Sequence, residues 1–230
     1  MSTIKFNLHK LDGVTEITMN YDELLVIGYA GRDMDKTMEH IKELEEQLGV
    51  APPKQIPTIF QCSNLLLTQD EDLQFVGNMT SGEVEYVIVL IDGKVYIGIG
   101  SDHTDRDLES VSVLKSKQVC AKPIGLDIWD YEDVKDHWDE IKLNSIQTID
   151  GEDVVYQEGS LADILVPEKI LEELYNRVGD IKNSIIFSGT VPLADGFKYG
   201  QYFKSEMVDH KLNRKLTLNY KIAEISEEER

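Results

Sequence analysis

Apolar positions in this chain fall mainly in short runs or alternate with polar ones, the signature of strands. Only a few segments show the three-and-four spacing of a helix. Strand-like stretches open the chain at residues 3–8 and 16–19, and the apolar Leu24-Leu25-Val26-Ile27-Gly28 follows. A helix is predicted over residues 33–48, where Met34, Met38, Ile41, Leu44 and Leu48 recur at helical spacing and Gly49 supplies a C-cap. The segment Ala51-Pro52-Pro53-Lys54-Gln55-Ile56-Pro57 cannot continue that helix. From residue 58 the pattern turns to strands, broken by a short helix at 135–141 and a helical stretch at 160–177 that starts or kinks at Pro167. Late strands are expected at 203–208 and 216–222, and the acidic tail after residue 225 is expected to fray.

The strongest local pattern is a hairpin. Tyr86-Val87-Ile88-Val89-Leu90 and Lys94-Val95-Tyr96-Ile97-Gly98-Ile99-Gly100 are joined through Asp92-Gly93, a two-residue turn signal. Counting outward from that turn sets Glu83 against Asp102 and Glu85 against Gly100. Residues two apart share a strand face, and opposed residues share it too, with Cβ atoms roughly 4.5–5.5 Å apart. Glu83, Glu85 and Asp102 therefore converge on one side of the ribbon. Like charges so placed destabilise a sheet unless a cation joins them. Three carboxylates with open positions suit Mg²⁺ or Mn²⁺, and Ca²⁺ is compatible. The same acids also fit the wetted face of an exposed ribbon, but the unbroken apolar strand implies burial on both faces. Gly98 and Gly100 imply close approach by a ligand or another backbone.

At 230 residues the chain can bury a real core, as one large domain or one domain with a small appendage. Its 43 acidic residues against 23 basic ones give a net charge of −20, which argues against nucleic acid and anionic membranes as partners. No apolar run is long enough to span a membrane and the N-terminus lacks a secretory core, so a cytoplasmic location is expected. Cys62 and Cys120 are too few for a disulfide framework or a thiolate metal site.

Weaker constellations surround the hairpin. Asp102-His103-Thr104-Asp105-Arg106-Asp107 sets a guanidinium among acids, as a ligand site or a salt-bridged loop would. Lys115, Lys117 and Lys122 follow, and one of them can face the acids while the others solvate the surface. His40 and Glu43 are neighbours on one helical face, either a surface pair or an imidazole oriented and made more basic by a carboxylate. Ser188-Gly189-Thr190 closes an apolar strand where a hydroxyl and backbone amides can meet an anion.

Together these motifs resemble the fumarylacetoacetate hydrolase superfamily. The resemblance rests on Glu83-x-Glu85, on Ser101-Asp102-His103-Thr104-Asp105-Arg106-Asp107, on Ser116-Lys117-Gln118 followed by Pro123-Ile124-Gly125, on Gly189-Thr190-Val191-Pro192, and on His40-Ile41-Lys42-Glu43. They fall in the family's order across residues 24–195, and the Gly100-to-Asp107 stretch is similar to an uncharacterised bacterial branch. The chain departs from the pattern in places. Only sixteen residues separate Glu85 from Asp102, Asp105 replaces an alanine, Arg32 precedes His40 by eight residues, and Lys115 and Lys117 compete for the lysine position. The resemblance implies an α+β, β-rich fold, a mixed β-barrel or roll, with an N-terminal subdomain and lid helix over residues 1–57, a metal-binding core over 58–225 and a short tail. It implies Mg²⁺ or Mn²⁺ on Glu83, Glu85 and Asp102, catalysis by His40, Glu43 and Lys117, and substrate contacts from Arg106, Gly189 and Thr190. The implied reaction is hydrolytic C–C cleavage of a 2-oxo or 1,3-diketo acid through an enolate held on the metal, in a homodimer. Decarboxylation, isomerisation or dehydration by the same site remain alternatives, as do a non-catalytic metal-dependent binding protein and a plain acidic β-domain.

Overall fold

The computed structural model describes residues 2–228, without the side chains of residues 40, 43, 44, 47 and 48. Two large mixed sheets and two two-stranded ones, with few helices, make up the described fold. The eight-stranded sheet curls into a half-barrel and runs, edge to edge, Gly13–Tyr21, Ser2–Lys10, Asp127–Asp130, Lys94–Ser101, Val84–Ile91, Ser184–Thr190, Glu23–Gly28 and Thr58–Cys62. The five-stranded sheet runs Glu152–Ser160, Lys142–Ile149, Tyr202–Asp209, Arg214–Ile225 and Asp72–Val76. The three N-terminal strands thus share a sheet with the hairpin strands. This is the β-rich α+β architecture expected from the sequence.

Val84–Ile91 lies inside the large sheet and is buried along nearly its whole length, as an unbroken apolar run requires. Its even-numbered side chains (Val84, Tyr86, Ile88 and Leu90) join a core that also holds Trp138, Ile170, Phe203 and Tyr220. Val87 and Val89 face the other way, into a second core with Phe6, Leu24, Ile128 and Phe187. Glu83 and Glu85 continue that second face, so the acids sit where an apolar layer ends.

The hairpin register is the expected one. Glu85 pairs with Gly100 and Val84 with Ser101, the Asp102 amide donates to the Glu83 carbonyl at 3.0 Å, and Asp92 and Gly93 both take positive φ, 49° and 81°. The strand glycines make room for side chains rather than a ligand. A Cβ at Gly100 would lie 2.5 Å from the Phe187 ring and 2.6 Å from Val87, and one at Gly98 would press on Ile128.

Met34–Leu48 is helical, and the carboxylate of Asp33 accepts from the amides of Asp35 and Lys36 at its start. The apolar spacing overstates its inward face. Thr37 and Ile41 are buried, while Met34 and Met38 stay half exposed. Arg32 donates to the carbonyls of Leu161 and Ile164 and to Asp139. Pro167–Arg177 starts at its proline, and Lys135–Glu140 is a 3-10 segment broken at His137. The sequence reading did not place the short helices Arg106–Glu109 and Val113–Gln118, nor the hairpin of Lys142–Ile149 with Glu152–Ser160, whose turn is another positive-φ pair, Asp150-Gly151. No described helix is long and apolar enough to cross a membrane.

Candidate metal centre and active site

One carboxylate oxygen from each of Glu83, Glu85 and Asp102 lies within 4.8 Å of the others, so the three acids converge as the hairpin register requires. Asp102 and Glu85 are buried and Glu83 is partly so. Burial, with Asp102 and Glu83 adding like charge, raises the Glu85 carboxyl well above the ordinary value. The Lys117 ammonium and a hydrogen bond from the Gly189 amide, 2.9 Å, work against that without cancelling it. Asp102 differs. Burial would raise it too, but Lys117 and Lys122 outweigh burial and hold it below the usual carboxylate value.

Each carboxylate is held from a different direction. Asp102 is paired with the ammonium of Lys117, and Lys122 lies 3.3 Å from its other oxygen. Lys117 is buried and Lys115 exposed on the same short helix, which decides between the two. Burial alone would depress the Lys117 ammonium, but Asp102, Glu83 and Glu109 outweigh it, so the group stays protonated. Lys122 is fully buried and spends its hydrogens on the carbonyls of His103, Lys117 and Cys120. Arg106 sits 3.2 Å from Glu83, donates to Glu109 and Ser81, and stacks on Phe197 at 4.4 Å. Asp105, the departure from the family's alanine, accepts from the Leu108 amide and caps the short helix Arg106–Glu109 that carries both Arg106 and Glu109.

The second sheet completes the site. The hydroxyl of Tyr220 meets Ser101 Oγ and His103 Nδ1, each at 2.9 Å, and so fixes both neighbours of Asp102. His103 stacks on Phe75, and burial, with Lys122 and Arg106 nearby, pushes its pKa well down, so it is neutral. The amide of Gln157 bridges the sheets between Val84 and Thr190. The Thr190 hydroxyl is committed to the Val84 carbonyl at 2.6 Å, and Gly189 takes φ 91° where a Cβ would lie 2.9 Å from Ala30. Gln157, Tyr220, Glu109 and Tyr29 were not singled out from the sequence, and Lys122 was named only as one of three lysines of which one could face the acids. His40 and Glu43 lie on the described helix backbone, but their side chains fall outside the described residues.

The donor set fits a hard divalent cation. It offers oxygen ligands alone, with like charge to relieve, and Asp102 Oδ1 is buried without a hydrogen-bond partner among the described residues.

The fold is that of the fumarylacetoacetate hydrolase family. A yeast member of that family, ynq8, superposes with a TM-score of 0.62 at 17% identity, over 89% of this chain and 94% of its own. A 2-keto-3-deoxy-D-arabinonate dehydratase, solved with magnesium and 2,5-dioxopentanoate, gives 0.62 at 19% identity, over 95% and 79%. A 5-carboxymethyl-2-hydroxymuconate delta-isomerase from Mycobacterium smegmatis gives 0.61 at 16% identity, over 94% and 88%. The chain itself belongs to the family described as a protein of unknown function, DUF2848, whose model matches residues 27–220. No curated protein matches it in sequence.

Proposed function

We propose that this protein is a divalent-metal-dependent enzyme acting on a 2-oxo or 1,3-diketo acid, and that the reaction is hydrolytic cleavage of a C–C bond. The observation that carries the proposal is the convergence of Glu83, Glu85 and Asp102 on one point, backed by lysines that keep Asp102 ionised. A neighbour in fold that holds magnesium and a dioxo compound supports the ligand class. The dehydratase and isomerase neighbours make elimination and isomerisation the second reading, since all these reactions need the same enolate character.

Mg²⁺ or Mn²⁺ on the three carboxylates would supply Lewis acidity toward the 2-oxo carbonyl. The protein's own groups carry the rest. Lys117, held protonated, offers its ammonium to developing negative charge beside Asp102. Gly189 and Thr190 border Glu85 and are proposed to meet the ligand carboxylate, the Thr190 hydroxyl turning from the Val84 carbonyl to do so. The guanidinium of Arg106 is taken up by Glu83, Glu109 and Ser81, which favours a role in positioning Glu83. His40, oriented by Glu43, activates water or moves the proton from the lid helix. The assembly is proposed to be a homodimer.

Thermal denaturation with added Mg²⁺ or Mn²⁺ tests the centre. Saturation at about 100 times Kd should stabilise the protein by about 2.7 kcal/mol. A melting curve unmoved by millimolar metal would count against it. Turnover in a panel of 2-oxo and 1,3-diketo acids separates enzyme from binding protein. His40→Ala should lower kcat roughly a hundredfold with metal affinity unchanged, and Glu43→Gln should cost less. Equal activity of His40→Ala and wild type would remove the lid from the mechanism.

A further inference from the structure

Acidic residues vanish from this chain in two places. Residues 47–69 and 110–126 are its two longest stretches without Asp or Glu, in a sequence that holds 43 of them. The fold packs the two stretches together. The Gln118 side chain accepts from the Ser63 amide at 3.0 Å, and Lys122 and Pro123 pair in parallel with Leu67 and Thr68. The Ile124 amide adds a bond to the Thr68 carbonyl at 2.9 Å. The result is an acid-free face on a protein of net charge −20. Lys54 and Lys115 are the exposed charges of the two stretches, whereas Lys117 and Lys122 are buried.

The same face lacks cover. Leu65 is 82% exposed and Val111 79%, more than any other large apolar side chain among the described residues. Leu114 and Val119 are exposed as well, and Phe60, Leu66 and Leu67 are only partly buried. Leu114 stands one turn from Gln118 on the helix Val113–Gln118, which turns Lys117 inward to Asp102 and Leu114 outward. Exposed apolar surface gathered in this way marks a contact with another molecule.

Charge selects the molecule. Two copies at net charge −20 repel, but physiological salt screens charges more than about 8 Å apart, so those inside the contact decide. A second copy docked head to tail would lay an acid-bearing surface on these apolar residues and bury carboxylates unpaired. Docked face to face across a two-fold axis, it covers apolar side chains with apolar ones and closes the assembly.

We infer that the acid-free face is the contact between two copies of this chain, made by the turn at Leu65 and the segment from Val111 to Val119 of each. The inference rests on the homodimer of the proposed function and assigns its surface. The partner then covers the outer side of the helix whose inner side holds Lys117 against Asp102.

Sedimentation equilibrium of the full chain over a range of concentrations tests it. Wild type should sediment at twice the mass of the chain. Leu65→Glu and Val111→Glu should each weaken self-association at least about a hundredfold, since a residue of an isologous contact enters it twice and the new carboxylates repel. Both positions are exposed, so far-ultraviolet circular dichroism should match wild type. Leu11→Glu and Val14→Glu place the same charge on exposed apolar residues at the opposite edge of the eight-stranded sheet and should leave the dimer intact. If Leu65→Glu and Val111→Glu dimerise as tightly as wild type, or if the Leu11 and Val14 variants break the dimer instead, the surface is wrong and the homodimer stands. If wild type sediments as a monomer throughout, homodimer and surface fall together, while the metal centre is judged separately by its response to Mg²⁺.

Discussion

Replacing Glu85 by glutamine should make the metal-free protein more stable and at the same time destroy its hold on a divalent ion. Glu85 is buried against two other carboxylates, and the Lys117 charge and one amide relieve it only in part, so its ionised form is costly without a metal. Glutamine keeps the size and can still accept from the Gly189 amide, but carries no charge. A gain of about 1–3 kcal/mol near neutral pH is expected, the usual exchange of stability for function at a strained site. Metal affinity should fall on the order of 10³-fold, more than the roughly 10–100-fold that outer partners of a ligand are worth. Asp102→Asn is the poorer test, because it would strand the buried ammonium groups of Lys117 and Lys122 and destabilise for that reason alone.

The pH dependence follows from the same carboxylate. Its folded-state pKa lies above that of the unfolded chain, so between the two values the native state holds more protons than the unfolded state. Stability of the metal-free protein therefore falls as pH rises through that window. A divalent ion takes the deprotonated form, so metal-induced stabilisation should grow with pH and release a proton on binding. Asp102, already held ionised by its lysines, adds nothing to this titration near neutrality. Wild-type melting curves with and without Mg²⁺ from pH 5 to pH 8 check the trend, and Glu85→Gln should flatten it. A wild-type curve without slope, or a variant less stable than wild type at pH 8, would overturn this account of Glu85.

The triad was legible in the sequence because the hairpin is local. A two-residue turn fixes the register, and the two-residue period of a strand then fixes the face of every side chain. Lys117 was within reach for a similar reason, one short capped helix beyond the hairpin, although only burial decides it against Lys115. What stayed hidden arrives from far along the chain. Tyr220 meets Ser101 across 119 residues, and Gln157 meets Val84 across 73. Nothing in the local pattern of Gln157, a polar residue on a half-apolar strand, separates it from a solvated one. Lys122 carried the signal of a surface cation and is instead fully buried, its hydrogens taken up by backbone carbonyls. The lid helix shows the reverse error, since helical spacing of Met34 and Met38 marks an apolar stripe without showing that anything covers it.

Gln157→Leu should cost the fold about 3–5 kcal/mol and loosen the metal centre without touching a single ligand. The side chain is fully buried, and all four of its ordinary hydrogen-bonding positions are used. Its oxygen accepts from the Val84 amide and from Ser145 Oγ, each at 2.9 Å. Its nitrogen donates to Thr190 Oγ1 at 2.6 Å and to the Val191 carbonyl at 2.9 Å. The orientation is not arbitrary, because the Val84 amide can only donate and must face the oxygen. Val84 lies between Glu83 and Glu85, and Thr190 follows the glycine whose amide holds Glu85, so this one amide sets the spacing of the strand and the turn that frame two of the three carboxylates. Leucine fills the same volume and satisfies none of these groups. Each buried group left unpaired costs roughly 1–3 kcal/mol, and the loss is shared by strands of both sheets. Metal affinity should fall about 10–100-fold, as for other residues that orient a ligand from behind. Ser145→Ala, which leaves Gln157 three of its partners, should cost only about 1 kcal/mol and leave metal affinity unchanged. Urea denaturation and Mg²⁺ titration of the two variants separate positioning from bulk stability. If Gln157→Leu is destabilised but binds Mg²⁺ as wild type does, the amide staples the sheets together and has no part in shaping the centre.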